Sequence, residues 1–393
     1  MNEQGTAEGV LGVHAHHGES MNAIVLSACW NRLAKLSREP PERVWLRNNQ
    51  SKLRPLLLQT EAQLHRFDAR PVASTAHGLA TLGSKIGWTA GEHVWRGLEA
   101  RALLQAGELN AQGLSNTAWA FAKAGHSSPA LFAAIETQVA ARASELNAQE
   151  LSNTGWAFAK AGHSSPALFA AIAKQVAARA GELTAQGLSN TAWAFAVLDE
   201  PADILFHSGS RFHDACVASA FTSEDLCQVH QFLLWRMECG AHLPLPPELR
   251  QSCLDAFVAH EGSPSRLQAQ VAASLAALGL QVEEEHRTEI GYSLDALVPW
   301  RGVRVAVEVD GPSHFVGGSR VPTGATALKR RQLRTLGGWP LLTIPYWEWG
   351  ELNGAGVSEV EAYLRRGLDA AVEAAGQSPH TPLISSSIDI SSG

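Results

Sequence analysis

Excess positive charge is missing from this 393-residue chain: 31 Lys and Arg stand against 38 Asp and Glu, for a formal net charge of −7. That excludes a protein coated in basic charge for indiscriminate nucleic-acid binding and leaves only local basic patches to look for. Cysteine is scarce as well. Cys29, Cys216, Cys227, Cys239 and Cys253 form no CxxC pair and are odd in number. This argues against a disulfide framework and a zinc site, and for a reducing compartment. No run of 18 apolar residues occurs, so neither a membrane span nor a membrane partner is expected. The first 20 residues hold three acids and no Lys or Arg, so there is no clear transit peptide. Either the natural start lies upstream or a targeting segment lies in the basic stretch 32–54. His14, His16 and His17 offer metal ligands, but a polar disordered tail over residues 1–20 is the preferred reading.

What is present is a globular composition, 45% hydrophobic and 18% charged, on a length that suggests two domains with tails. Self-comparison supplies the strongest signal. Residues 114–135 read LSNTAWAFAKAGHSSPALFAAI, and residues 151–172 repeat them with one difference, Ala118 against Gly155. A third copy opens with LSNTAWAFA at Leu188, fixing a 37-residue period on Asn116, Asn153, Asn190 and on Trp119, Trp156, Trp193. Decayed copies lie at 74–83, 26–36 and 225–235. The repeats therefore span about 21–240 and are clearest over 110–199.

Each copy reads as a helical hairpin. Asn110, Asn147 and Thr184 are N-caps for the first helix, with Glu150 at capping-box spacing from Asn147. Gly125 and Gly162 fit its C-terminal stop. Ser128-Pro129 and Ser165-Pro166 start the second helix, over 129–144 and 166–181. One hairpin cannot bury its apolar face alone, so the copies must stack as a solenoid. On the first helix Leu114, Ala118, Phe121 and Ala122 share a buried stripe about 100° wide. Gln112, Asn116, Trp119 and Lys123 cluster roughly opposite. Asn116, Asn153, Asn190, Lys123 and Lys160 are the candidate RNA-binding residues, amides for base edges and amines for phosphates. The Trp residues either stack on bases or wedge between neighbouring repeats. The Asn residues either read RNA or bond between repeats. These copies resemble the octotricopeptide and FAST-kinase-like repeats of organellar RNA-maturation proteins.

After Pro244, Pro246 and Pro247 the pattern changes. A linker and helix over 241–263 precede a domain at 264–375, whose first helix starts at Ser263-Pro264, and a disordered Ser-rich tail over 376–393 follows it. Strands are expected at 281–290, 292–298 and 303–310, with the last two joined by a turn over 299–302. A helix over 325–338, a strand over 340–346 and a helix over about 357–375 complete the domain. Alternation puts Val305, Val307 and Val309 on one face of their strand, with Glu308 and Asp310 on the other. Asp295, on the preceding strand, comes close to Glu308. Asp295, Glu308 and Asp310 are thus candidate ligands for Mg²⁺, which would activate water against a phosphodiester. Lys329 and Gln332 share the sheet-facing side of the 325–338 helix. Arg330, Arg331 and Arg334 fall on its other side, as a basic patch for phosphates.

The run VAVEVDGPSHF, followed by TGATALKRRQLRTLGGWPLLTIPYWEW, resembles the RAP domain, an RNA-binding domain abundant in apicomplexans. Its fold is similar to restriction-endonuclease-like nucleases. The resemblance implies RNA binding, organellar RNA processing, maturation or stability in a mitochondrion or chloroplast, and a nuclease-like fold. Of the nuclease pattern Asp, then Glu-x-Lys, Asp295 and Glu308 are present. Asp310 occupies the Lys position, and Lys329 and His314 are its candidate substitutes. The expected architecture is an all-α helical-repeat solenoid followed by a C-terminal α/β domain of restriction-endonuclease-like type. Its expected partners are RNA and other RNA-processing proteins. The expected role is non-catalytic RNA binding. The alternatives are a metal-dependent endoribonuclease, which would need Mg²⁺, and a repeat scaffold for protein partners.

Overall fold

The computed structural model describes residues 5–259, 265–317, 319–352, 354 and 356–377. They fall into two compact units, residues 1–194 and 195–393. No described helix is long and apolar enough to cross a membrane.

The first unit is a stack of helical hairpins. Helices α1 (Ala7–His17), α2 (Ala23–Leu36), α3 (Pro40–Asn48) and α4 (Arg54–Gln63) lead into α5 (Ala69–Ile86), α6 (Glu92–Leu104), α7 (Ala111–Ala124), α8 (Pro129–Arg142), α9 (Ala148–Ala161), α10 (Pro166–Arg179) and α11 (Ala185–Leu198). The last of these runs across the boundary between the units. α2, α5, α7 and α9 pack side by side in that order, and α6, α8 and α10 form a second row against them. Residues 7–17, expected in a disordered tail, instead form α1. Its Ala7, Val10, Leu11 and His14 are buried, and the His14 ring meets the Gln59 side-chain oxygen at 2.7 Å. That partner, 45 residues away in sequence, gives the His cluster a structural use invisible in the local pattern.

Local sequence explains the hairpins. The Asn110 and Asn147 side chains accept from the Gly113 and Glu150 amides, the second within a complete capping box. Gly125 and Gly162 end α7 and α9 at φ of 71° and 67°, a left-handed conformation that only glycine adopts without strain. The second helices stop at Arg142 and Arg179, two residues short of the expected ends, in short 3₁₀ turns. Those arginines reach back to the preceding turn. Arg142 donates to the Leu109 carbonyl at 3.0 Å and Arg179 to the Leu146 carbonyl at 2.7 Å.

Packing between copies is equally periodic. The Ser115 hydroxyl donates to the Glu150 carbonyl at 3.0 Å, and the Ser152 hydroxyl to the Gly187 carbonyl at 2.9 Å. Leu114, Ala118, Phe121 and Ala122 are all buried, as the stripe requires. Phe158 is fully buried, edge-on to Phe132 at 5.0 Å and beside His163.

The second unit contains α12 (Arg211–Ala218), α13 (Ser223–Glu238), α14 (Pro247–Ala259), α15 (Arg266–Ala277), β1 (Glu283–Arg287), β2 (Ser293–Trp300), β3 (Val303–Asp310), α16 (Gly324–Thr335), β4 (Leu341–Pro345), α17 (Tyr346–Glu351) and α18 (Val357–Gly376). The sheet order is β1-β2-β3-β4, antiparallel except for the parallel β3–β4 pair. Arg301 and Gly302, both at positive φ, form the tight β2–β3 turn. On one sheet face Val305, Val307, Val309, Leu342 and Ile344 pack with Val271 and Leu275 of α15 and Leu364 and Leu368 of α18. On the other, Leu297, Ala306 and Leu341 pack with Leu333 of α16, with Leu336 just beyond that helix and with Leu234 of α13.

Residues 195–240, read from sequence as the tail of the repeats, fold with this second unit. The reason is visible at α13, where Leu234 joins the sheet core, the His230 ring meets the Ile290 carbonyl and the Gln231 carbonyl accepts from Gln332. The expected helix start at Ser263-Pro264 lies outside the described residues, as does the Ser-rich tail beyond Gln377. α15 is capped instead by Ser265, in a capping box with Gln268.

Phe158→Ala should destabilise the repeat unit by about 3–5 kcal/mol, because it opens a cavity between two hairpins. Gln112→Ala, at an exposed position, should stay within about 0.5 kcal/mol of the parent. Urea unfolding followed by circular dichroism checks both.

Candidate functional site

β3 delivers the acidic side chains of the second unit. Val305, Val307 and Val309 fill one face, so Glu308 and Asp310 must share the other. α16 brings cations to that face. Lys329 Nζ lies 2.6 Å from Glu308 Oε2, and Arg330 is paired with Asp310 Oδ2. His314, one turn beyond the strand, meets Asp310 Oδ1 through Nδ1 at 2.7 Å.

Asp295 sits where the β2–β3 ladder runs out. The ladder's last partners are Ala296 and Val307, and the Asp295 carboxylate takes the next free β3 amide, Val309 N–H, at 2.6 Å. Its other oxygen accepts from Gln268 Nε2 of α15 at 2.5 Å. Gln268 was missed from sequence, although the Ser265-x-x-Gln268 spacing announces a capping box whose side chain is fixed near the helix start.

Electrostatics separate the two β3 acids. Glu308 is 3% exposed and its Oε1 has no hydrogen-bond partner among the described residues. Burial pushes its carboxyl up to about 7, with Lys329 opposing the shift and Asp295 and Asp310 adding to it. Burial also works against the Asp310 carboxylate, but His314 and Arg330 outweigh it and hold that group below the usual range. The hydrogen bond to Asp310 in turn raises His314, with burial opposing it.

Asp295, Glu308 and Asp310 therefore do not gather into the expected three-carboxylate ligand set. Both Asp295 oxygens are occupied by N–H donors and both Asp310 oxygens by His314 and Arg330, leaving only Glu308 Oε1 unengaged. Among the described residues no group of three His, Cys, Asp or Glu side chains is placed to hold a metal ion. As they stand, these residues do not fit Mg²⁺.

The expected basic patch on α16 is also redistributed. Arg330 turns to Asp310 and over the Phe315 ring. Arg331 turns inward to Glu238 and to the Ala196 and Val197 carbonyls. Only Arg334 of the three is exposed. A helical-wheel argument could not foresee this, because the partners come from distant parts of the chain. Gln332 does not reach the carboxylates either. It accepts from the Tyr292 hydroxyl at 2.8 Å and donates to the Gln231 carbonyl at 2.9 Å.

Beside the acidic cluster lies an aromatic and cationic surface. Phe315 meets Trp347 edge-on at 4.4 Å, and the exposed Arg320 lies over the Trp347 ring at 5.4 Å. His314, with a side chain 41% exposed, borders the same loop. Trp349, in contrast, is buried in the core.

Residues 307–366 match the family model described as RAP domain. The second unit carries a RAP domain. A chloroplastic RAP domain-containing protein of Oryza sativa subsp. japonica is 37% identical to this chain over 108 residues. That match covers 27% of this chain and 16% of the rice protein. Glu308, Asp310, His314, Lys329 and Arg330 all fall within the RAP match, while Asp295 and Gln268 precede it.

In the repeat unit the candidate RNA-binding residues recur along the first helices α7, α9 and α11. Asn116 and Asn153 are half-buried and Asn190 is buried. Lys123 is exposed, and Lys160 is half-buried with its Nζ 5.7 Å from the centre of the Trp156 ring. Burial, reinforced by Lys123, holds the Lys160 ammonium below the ordinary lysine value. Among the described residues neither lysine pairs with a carboxylate.

Glu308 binds its proton more tightly in the folded RAP domain than the usual 4.5. The stability this brings is complete below about pH 4.5 and is lost as pH rises through about 7. Thermal melts should therefore show stability falling between pH 5 and 8, by roughly 1–3 kcal/mol. Glu308→Gln should flatten that profile. An unchanged slope in the variant would show that the Glu308 carboxyl is not the group responsible.

Proposed function

We propose that this chain is an RNA-binding protein of organellar RNA processing, maturation or stability, in which the RAP domain binds without cutting. The observation that carries the reading is the RAP-domain match over 307–366, in a domain whose acidic cluster is internally neutralised while Arg320, Arg334 and His314 remain at the surface. Cations beside Trp347 and Phe315 suit a phosphate backbone flanked by stacked bases. Organellar residence is supported by the chloroplastic rice relative, which favours the chloroplast over the mitochondrion. Other RNA-processing proteins remain proposed partners on the strength of the family resemblance.

The restriction-endonuclease-like ancestry of the domain belongs to the same proposal. Asp295 and Glu308 sit on adjacent strands, and Lys329 on α16 supplies the amine that Asp310 displaces from β3. Of the oxygens that cleavage would need as ligands, all but Glu308 Oε1 are engaged in hydrogen bonds and ion pairs, so binding is the role these residues support.

The purified chain should bind labelled single-stranded RNA in fluorescence anisotropy, with log affinity falling linearly as log salt rises. Arg320→Ala with Arg334→Ala should weaken binding several-fold at 50 mM salt. Absence of measurable binding at low salt would overturn the RNA reading and leave the protein-scaffold alternative.

A further inference from the structure

The 37-residue period does more than stack helices in the repeat unit. It aligns aromatic rings in a row along the first helices. Trp119 and Trp156 have ring centroids 6.5 Å apart with planes 32° from parallel, and Trp156 and Trp193 repeat this at 6.5 Å and 34°. His77, at the Trp position of a decayed copy, continues the row at 5.0 Å from Trp119.

Three features set this row apart from a core. Trp119 and Trp156 are half-buried, unlike the fully buried Phe121 and Phe158 on the same helices. The Trp–Trp steps are too wide and too tilted for direct ring-on-ring stacking. They approach twice the about 3.4 Å rise per nucleotide of a stacked strand, the separation at which one flat base is sandwiched. Each step is also flanked on its own helices by an amide three residues before the Trp and, on α7 and α9, by an amine four residues after it. The helical period puts all three on one face.

Charge supports the same occupant. Lys123 is close enough to Lys160 to add to the burial that disfavours the Lys160 charge. Two uncompensated amines on neighbouring repeats of a chain with net charge −7 are poorly suited to each other and well suited to a polyanion. The third copy has Val197 in the Lys position, and Trp193 is buried, so the row closes there. At the other end the His77–Trp119 step is already too narrow for a base.

We infer that the Trp119–Trp156 step receives one unpaired nucleobase of a single-stranded RNA, with Asn116 and Asn153 at the base edge and Lys123 and Lys160 on the flanking phosphates. This rests on the RNA-binding reading and places one base between the two half-buried indoles. Duplex RNA is excluded from such steps because its bases are already stacked and paired.

The test is a set of anisotropy titrations of the full chain with a short single-stranded RNA and its duplex. Trp156→Leu and Trp119→Leu should each lose about 10-fold or more in affinity for the single strand, and Trp156→Phe should retain most of it. Lys123→Ala with Lys160→Ala should make the salt slope shallower by about 1.4. The wild-type tryptophan fluorescence should be quenched by single-stranded RNA and not by the duplex. If the wild type binds RNA but Trp156→Leu binds equally well, or the duplex binds as tightly as the single strand, the sandwich is wrong and the RNA reading stands. If the wild type binds no RNA, both fail together.

Discussion

Everything in the repeat unit follows from one constraint: a hairpin of two short helices cannot bury its apolar residues by itself. Stacking copies removes Phe121, Phe158 and their neighbours from water and fixes Ser115 and Ser152 against the next copy's carbonyls. The first helices are thereby covered on both flanks by adjacent copies and at the back by the second helices. What remains accessible on them is a narrow strip. Because the period is constant, whatever the strip carries is repeated at constant spacing. Here it carries an amide, an indole and an amine, and packing alone explains why the indoles fall into a row.

The RAP domain meets a different constraint. Its central strand β3 must bury both faces, yet it carries two carboxylates. The structure resolves this with counter-charges from α16 rather than with exposure. Asp310 is fully engaged between Arg330 and His314, whereas Glu308 keeps one oxygen unpartnered and retains its proton to about neutral pH. The same pairing withdraws Arg330 from the surface and engages both Asp310 oxygens. Arg320, Arg334 and His314 are left as cationic groups at the surface.

Much of this was legible in the sequence. The repeat period, the caps at Asn110 and Asn147, the glycine stops, and the split of β3 into a Val face and an acidic face all depend on local spacing, and local spacing is what a sequence displays. The RAP domain was legible through the EVDGPSHF run. What escaped were partnerships across long separations. Arg331 looked free because Glu238 lies 93 residues away, and residues 7–17 looked like a tail because Gln59 and Glu42 hold them from elsewhere. Gln268 was recoverable from its capping box, but its bond to Asp295 was not. The Trp residues were ambiguous for a physical reason: they are half-buried, so the packing and the binding interpretations each described part of the ring.

The central claim is that RNA is held on the strip of first helices and on the aromatic–cationic surface of the RAP domain. Ultraviolet crosslinking of the full chain to single-stranded RNA, with adducts mapped by mass spectrometry, tests it most directly. The account predicts adducts on peptides carrying Trp119 and Trp156 and on the RAP segment between His314 and Trp347. Adducts confined to the second helices α8 and α10, or to none of these segments while RNA is bound, would contradict it.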